Sequence, residues 1–161
     1  MVLYDNLLRR ADRPELNAVV AHELGHVAHD DIPRGLAFVA LVAPLGLLLS
    51  RELGTAVVAR TGADPATPAA IPAYLLAIGL AAFVLNIPAN QLSRKVEASA
   101  DAFALSLTHD PGGMIDLQVE LARANVSDPD PPGLITAIFG THPTTVQRIG
   151  AARAESRPPA G

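Results

Sequence analysis

His22-Glu23-Leu24-Gly25-His26 is the stretch from which the rest of the chain can be read. On a helix, two histidines four residues apart lie one turn above each other on one face. Both imidazoles can then reach one metal ion, and Glu23 between them can reach the open side of that ion. This is the H-E-x-x-H pattern of a hydrolytic zinc site; two surface histidines beside a solvated glutamate are the plain alternative. The flanks argue for a real helix. Asp12 can cap it, Pro14 suits its first turn, and Glu15 is placed to close a capping box. Leu16, Val19, Val20, Leu24 and Val27 recur at helical spacing, which predicts a helix running to about His29 and ended by Asp30-Asp31-Ile32-Pro33.

Composition sets the setting of this helix. Half of the 161 residues are hydrophobic and only 17% are charged, and a mean hydropathy of +0.30 lies on the membrane side for a chain of this size. The net charge of -4, with no basic stripe to neutralise phosphates, argues against nucleic acid as a partner. Cysteine is absent, so any zinc must be held by histidine and carboxylate. Neither a basic region nor a long apolar core follows Met1, and no signal peptide is read there. Val2 to Leu8 is short and β-permissive. It is expected to be at most a short N-terminal strand, serving as a core element or as an edge along which a substrate backbone can lie.

After the motif, Gly35 to Ser50 is uncharged and almost wholly apolar. Its length of about 24 Å falls short of the roughly 30 Å hydrocarbon core, and continuing to Ala59 makes it long enough. Gly62 to Pro68 is turn-rich, and Ala69 to Leu92 is a second uncharged run long enough to span. Together they read as a transmembrane helical hairpin. A buried hairpin in a soluble protein is the alternative, disfavoured because the apolar positions cover all faces. Asn86, Pro88 and Asn90 suggest that the second run leaves the lipid there. A hairpin returns the chain to the side it left, so the metal motif and everything from Ser93 onward face one compartment. Arg9, Arg10, Arg13, Arg34, Arg94 and Lys95 lie on that side, against Arg51 and Arg60 in the loop region, which places the site in the cytoplasm.

A catalytic zinc site needs a third protein ligand. His29 lies about 10.5 Å along the axis from His22, too far to join the same ion, and reads as a surface or helix-end histidine. Beyond the hairpin, Val96, Ala100, Phe103, Ala104 and Leu107 form an apolar stripe, leaving Arg94, Glu97 and Asp101 together on another face. Two acids at i, i+4 repel unless they share a cation or a histidine partner. Glu97 is the candidate third ligand, with Asp101 accepting the free ring N–H of a ligating histidine from outside the ligand set. Taken alone, the stretch also fits an ordinary charged face.

The combination of His22 to His26, an apolar hairpin, then Ser93-Arg94 through Glu97 and Asp101 resembles peptidase family M48, the membrane zinc metalloproteases that include the CAAX prenyl proteases and the HtpX-type quality-control proteases. Thr141-His142-Pro143 and Arg148-Ile149 are similar to the family's C-terminal His-Pro…Arg-Ile segment. The resemblance covers nearly the whole chain. It implies one zinc per chain on His22, His26 and Glu97, Glu23 as catalytic base, Asp101 behind the ligands, and His142 near the cleft, where it steadies the oxyanion or serves only capping and local packing. Members of the family carry further transmembrane helices before the metal helix, so it also implies a chain lacking that N-terminal transmembrane part.

The expected architecture is therefore mainly α: a membrane helical bundle with a zincin-type motif helix. One peptidase domain over 1–161 is divided into the metal-motif helix (1–33), the hairpin (34–92), a third-ligand helix with a C-terminal helical part (93–150) and a flexible tail (151–161). Within the last part, residues 109–113 break the third-ligand helix, Met114 to Ala124 is a helix, and Asn125 to Gly133 is a loop. The implied chemistry is zinc-dependent hydrolysis of a peptide or membrane-protein substrate by an enzyme embedded in the lipid bilayer. An antibiotic-sensor-type membrane metalloprotease and a non-catalytic membrane binding module are the competing readings.

Overall fold

The structure, a computed structural model, describes residues 11–156. Among the described residues, six α-helices follow one another: α1 (Arg13–Ala28), α2 (Asp31–Thr61), α3 (Ile71–Thr108), α4 (Pro111–Ala124), α5 (Gly133–Phe139) and α6 (Thr145–Glu155), with one turn of 3-10 helix at Pro68–Ala70 before α3. Among the described residues there is no strand. The anticipated Val2 to Leu8 strand and the arginines at 9 and 10 lie outside them.

α1 starts as its sequence predicts, the Asp12 N–H donating to the Glu15 carboxylate at 2.7 Å with Pro14 in the first turn. Its end differs in detail. Asp30 takes a left-handed φ of 55°, and the chain re-enters a helix at once, so Ile32 and Pro33 open α2 rather than close α1. Proline is suited to a first turn because the N–H it lacks has no intrahelical partner there.

The chain divides into two compact units, residues 32–89 and the remainder. In the first, α2 and the apolar part of α3 form an antiparallel pair, with Gly46 facing Leu85 and Gly54 facing Tyr74. A Cβ on Gly54 would lie 2.3 Å from the tyrosine ring. Gly46, Ser50 and Gly54 recur every four residues on α2, and Ala77 and Ala81 are buried on α3, the small-residue seam that lets helix backbones approach closely in lipid. Large side chains face outward, Leu41 and Leu47 more than 70% exposed. Both helices are long and apolar enough to cross a membrane.

α3 departs from the expected division at residue 92, because it is one helix of 38 residues that runs through Pro88 without a break. An interior proline forfeits the bond to the carbonyl four residues back and crowds that carbonyl with its ring, a cost that long membrane helices tolerate. In the second unit, α4 packs against both α1 and α6. Ala18, Ala21, Ala104, Leu105, Met114, Leu117 and Ala152 make its core. Asp110 caps α4 by accepting from the Gly113 N–H at 3.0 Å, so Pro111, Gly112 and Gly113 form its first turn instead of a loop. α6 likewise continues through Glu155 into the anticipated tail, because Ala152 is fully buried.

Candidate metal centre

Two helices bring the ligand candidates together because both are shaved to small residues where they meet. A Cβ added to Gly25 would lie 3.1 Å from Ala100 Cα and 3.2 Å from its carbonyl oxygen. Over that contact, His22 and His26 on α1 face Glu97 on α3. The His22 and His26 Nε2 atoms are 3.1 Å apart; Glu97 lies 3.4 Å from His22 Nε2 through Oε2 and 3.8 Å from His26 Nε2 through Oε1. These three residues can hold a metal ion. Bonds of about 2.0–2.1 Å at tetrahedral angles separate ligand atoms by about 3.3 Å, close to the spacing found.

The outer contacts fit the same reading. His22 Nδ1 lies 2.9 Å from Asp101 Oδ1, and His26 Nδ1 lies 2.9 Å from Asp31 Oδ2. A neutral imidazole that donates from Nδ1 keeps its lone pair on Nε2. Two such lone pairs and a carboxylate then converge on one point, an arrangement that repels itself unless a proton or a metal cation sits among them. Behind His22, Asp101 is buried and clamped by Arg148, whose Nε donates to Oδ2 at 2.6 Å while its terminal nitrogen donates to Oδ1. This is the two-pronged geometry that makes arginine–carboxylate pairs strong.

The electrostatics of the cluster follow from these contacts. Burial pulls the His22 pKa down, but hydrogen bonds to Asp101 and Glu97 and the charge of Asp101 outweigh it and push it up to about 9. For Glu97, burial opposes ionisation, and the hydrogen bond from His22 with the charges of His142, His22 and His26 holds the carboxyl below its ordinary value. Asp101 is lowered against the same burial penalty by its bonds to His22 and Arg148.

The other candidates fall around this cluster. His142 is more than half exposed, its Nε2 3.6 Å from Glu97 Oε1 and its Nδ1 2.8 Å from Thr141 Oγ1. Its segment is held by side chains of α3 reaching the end of α5. Asn90 donates to the Ile138 carbonyl at 2.6 Å, Ser93 to that of Thr141 at 2.8 Å, and Arg94 to those of Thr136 and Gly140. Arg94 therefore serves the carbonyls at the C-terminus of α5 and not the metal cluster. Glu23 is half-buried, next to His22 on α1. His29 stands apart, edge-on to Phe103 and 3.4 Å from Ser99 Oγ. A cleft of about 530 Å³ opens beside His142, lined among others by Leu121, Ile135, Phe139 and Arg148.

Two residues of the centre carried no role in the sequence reading. Asp31 reads in the sequence only as part of the end of α1, because an acid five residues after a histidine on one continuous helix points away from it. Arg148 reads as part of a C-terminal segment, and nothing in its neighbourhood in sequence points to Asp101, 47 residues away.

The chain is 29% identical over 164 residues to the uncharacterized metalloprotease YhfN of Bacillus subtilis (strain 168), covering 99% of this chain and 38% of that protein. It is 30% identical to a protease HtpX homolog of Limosilactobacillus reuteri (strain DSM 20016), covering 89% and 55%. It is 28% identical to the probable CAAX prenyl protease 1 of Schizosaccharomyces pombe, covering 94% and 32%. The chain thus spans roughly a third to a half of the length of these curated relatives. The crystal structure of S. mikatae Ste24p superposes with a TM-score of 0.74 at 23% identity, over 94% of this chain and 38% of that one, and so shares the helical fold. A family model described as peptidase family M48 matches residues 1–156. On that match, running along nearly all of its length, the chain belongs to peptidase family M48.

Proposed function

We propose that this chain carries the catalytic centre of a zinc-dependent membrane endopeptidase, with zinc on His22, His26 and Glu97. The convergence of those three ligand atoms, each imidazole backed by a carboxylate, is the observation that carries the reading. The all-nitrogen-and-oxygen ligand set suits zinc in an open three-ligand site. When bound, zinc supplies Lewis-acid chemistry, activating water and polarising a peptide carbonyl. Glu23, one residue along α1 from His22, takes the proton of the attacking water and returns it to the leaving amine. Asp101 holds His22 with its Nε2 turned inward, and Arg148 holds Asp101. His142 lies beside Glu97 and is partly exposed; its role in this reading is to donate an N–H to the developing oxyanion.

The substrate is a peptide segment, drawn from a membrane protein or presented at the membrane surface, with the site facing the cytoplasm. The orientation is supported by the basic residues flanking the spans on the site's side. The names of the HtpX and prenyl-protease relatives favour this reading over a sensor-type metalloprotease or a non-catalytic module.

Exchanging the carboxylates one at a time tests the roles. Glu23→Gln keeps size and helix, so zinc content should persist while hydrolysis of an unstructured protein substrate falls by orders of magnitude. Glu97→Gln should lose or greatly weaken zinc, because a neutral amide is a poor ligand. Asp101→Asn should weaken zinc by roughly 10- to 100-fold. Full zinc and activity in Glu97→Gln would show that the third ligand lies elsewhere.

A further inference from the structure

We propose that Asp31 is the positioning residue for His26: its carboxylate fixes the ring so that Nε2 faces the metal position. The inference rests on the metal reading above and adds a residue to it.

Three observations carry it. His26 Nδ1 and Asp31 Oδ2 lie 2.9 Å apart, with the two side chains only 21% and 11% exposed. Second, the backbone is bent to make the contact. On an uninterrupted helix Asp31 would lie about 7.5 Å along the axis and about 140° around from His26, out of reach. Instead His29 N–H bonds to the Gly25 carbonyl at 3.0 Å and Asp30 N–H to that of Val27 at 3.2 Å, while Asp30 turns left-handed at φ 55°. Asp and Asn accept that conformation more readily than other residues with a Cβ. The turn carries Asp31 back over the last turn of α1 as the first residue of α2. Third, the contact repeats at His26 what Asp101 does at His22, each ring meeting one carboxylate oxygen through Nδ1 at 2.9 Å. A carboxylate in that place selects the Nδ1–H tautomer, orients the ring and raises the basicity of the ligating nitrogen. The second histidine of the motif is thus aimed by the first residue of the next helix and not by its own.

The test uses the full chain in detergent, with zinc affinity read by competition against a chromophoric chelator and ligand geometry read from the visible absorption of the cobalt(II)-loaded protein. Asp31→Ala is expected to weaken zinc by about 10- to 100-fold and to shift the cobalt bands. Asp31→Asn, whose amide oxygen still accepts from Nδ1 but carries no charge, should lose less. Asp30→Asn removes a neighbouring acid while keeping the left-handed joint, and should stay within about twofold of the unchanged protein. A structural loss alone would lower stability without moving the cobalt spectrum. Asp31→Ala with unaltered zinc affinity and cobalt bands overturns the proposal; where that variant does not fold, unaltered values for Asp31→Asn do so. An unchanged chain that takes up no zinc would instead sink the metal reading itself.

Discussion

His22 meets two demands that pull in opposite directions. A ligand must present a bare Nε2, yet the carboxylates around the metal-free ring push its pKa up to about 9. Below that value a metal must displace a proton, so zinc affinity is expected to rise by about tenfold per pH unit from pH 6 and to level off near pH 9. The sign for folding is the reverse. A pKa raised above the ordinary 6.5 stabilises the metal-free protein fully below about 6.5, and that contribution is lost as the pH climbs through about 9. The lowered carboxyls of Glu97 and Asp101 act at the other end, contributing above their ordinary values and failing as the solution is acidified. The gap between the melting temperatures of zinc-loaded and metal-free protein should therefore widen from pH 6 to 9. A zinc affinity flat across that range would contradict the proton competition.

Among the helices, the decisive contact is the one between α1 and α3 at Gly25 and Ala100. Leu24 and Val27, large and apolar, are exposed, whereas Ala18, Ala21 and Gly25 form the buried face of α1. Close approach is what this face provides, since Zn–N and Zn–O bonds of about 2 Å leave the two backbones little freedom of separation. Gly25→Val would drive side-chain atoms onto the Ala100 backbone, which cannot swing aside as a flexible side chain can. Overpacking of this kind costs about 1–3 kcal/mol, and zinc affinity should fall with it. Gly35→Ala, at a helical position with nothing within 4 Å of the added Cβ, should be neutral or slightly stabilising. Equal melting temperatures and zinc affinities for the two variants would show that the α1–α3 separation does not govern the centre.

For the molecule as a whole, the outward-facing leucines of α2 and the apolar half of α3 call for a lipid environment. Alkaline carbonate should leave the protein in the membrane pellet, and a reporter placed in the loop at residues 62–68 should register on the non-cytoplasmic side. Release into the supernatant would favour the hairpin of a soluble protein, and a cytoplasmic reporter would reverse the orientation proposed above.

Much of this was legible along the chain because it depends on local period and composition. The capping box of α1, the two apolar runs and the spacing of His22, Glu23 and His26 are short-range patterns, and short-range patterns survive in a linear reading. Glu97 and Asp101 were legible as a suspicious acid pair, and the resemblance to a known family turned suspicion into an expected role. Three things lay outside that reach. Pro88 and residues 111–113 look like breakers, yet Pro88 is absorbed by a long helix and 111–113 by a capped first turn. The faces of α1 and α2 that become buried are, Val58 apart, their small residues, which hydrophobic periodicity ranks last. And Asp31 and Arg148 acquire their partners through a left-handed joint and a 47-residue separation, contacts that exist only once the chain has closed on itself.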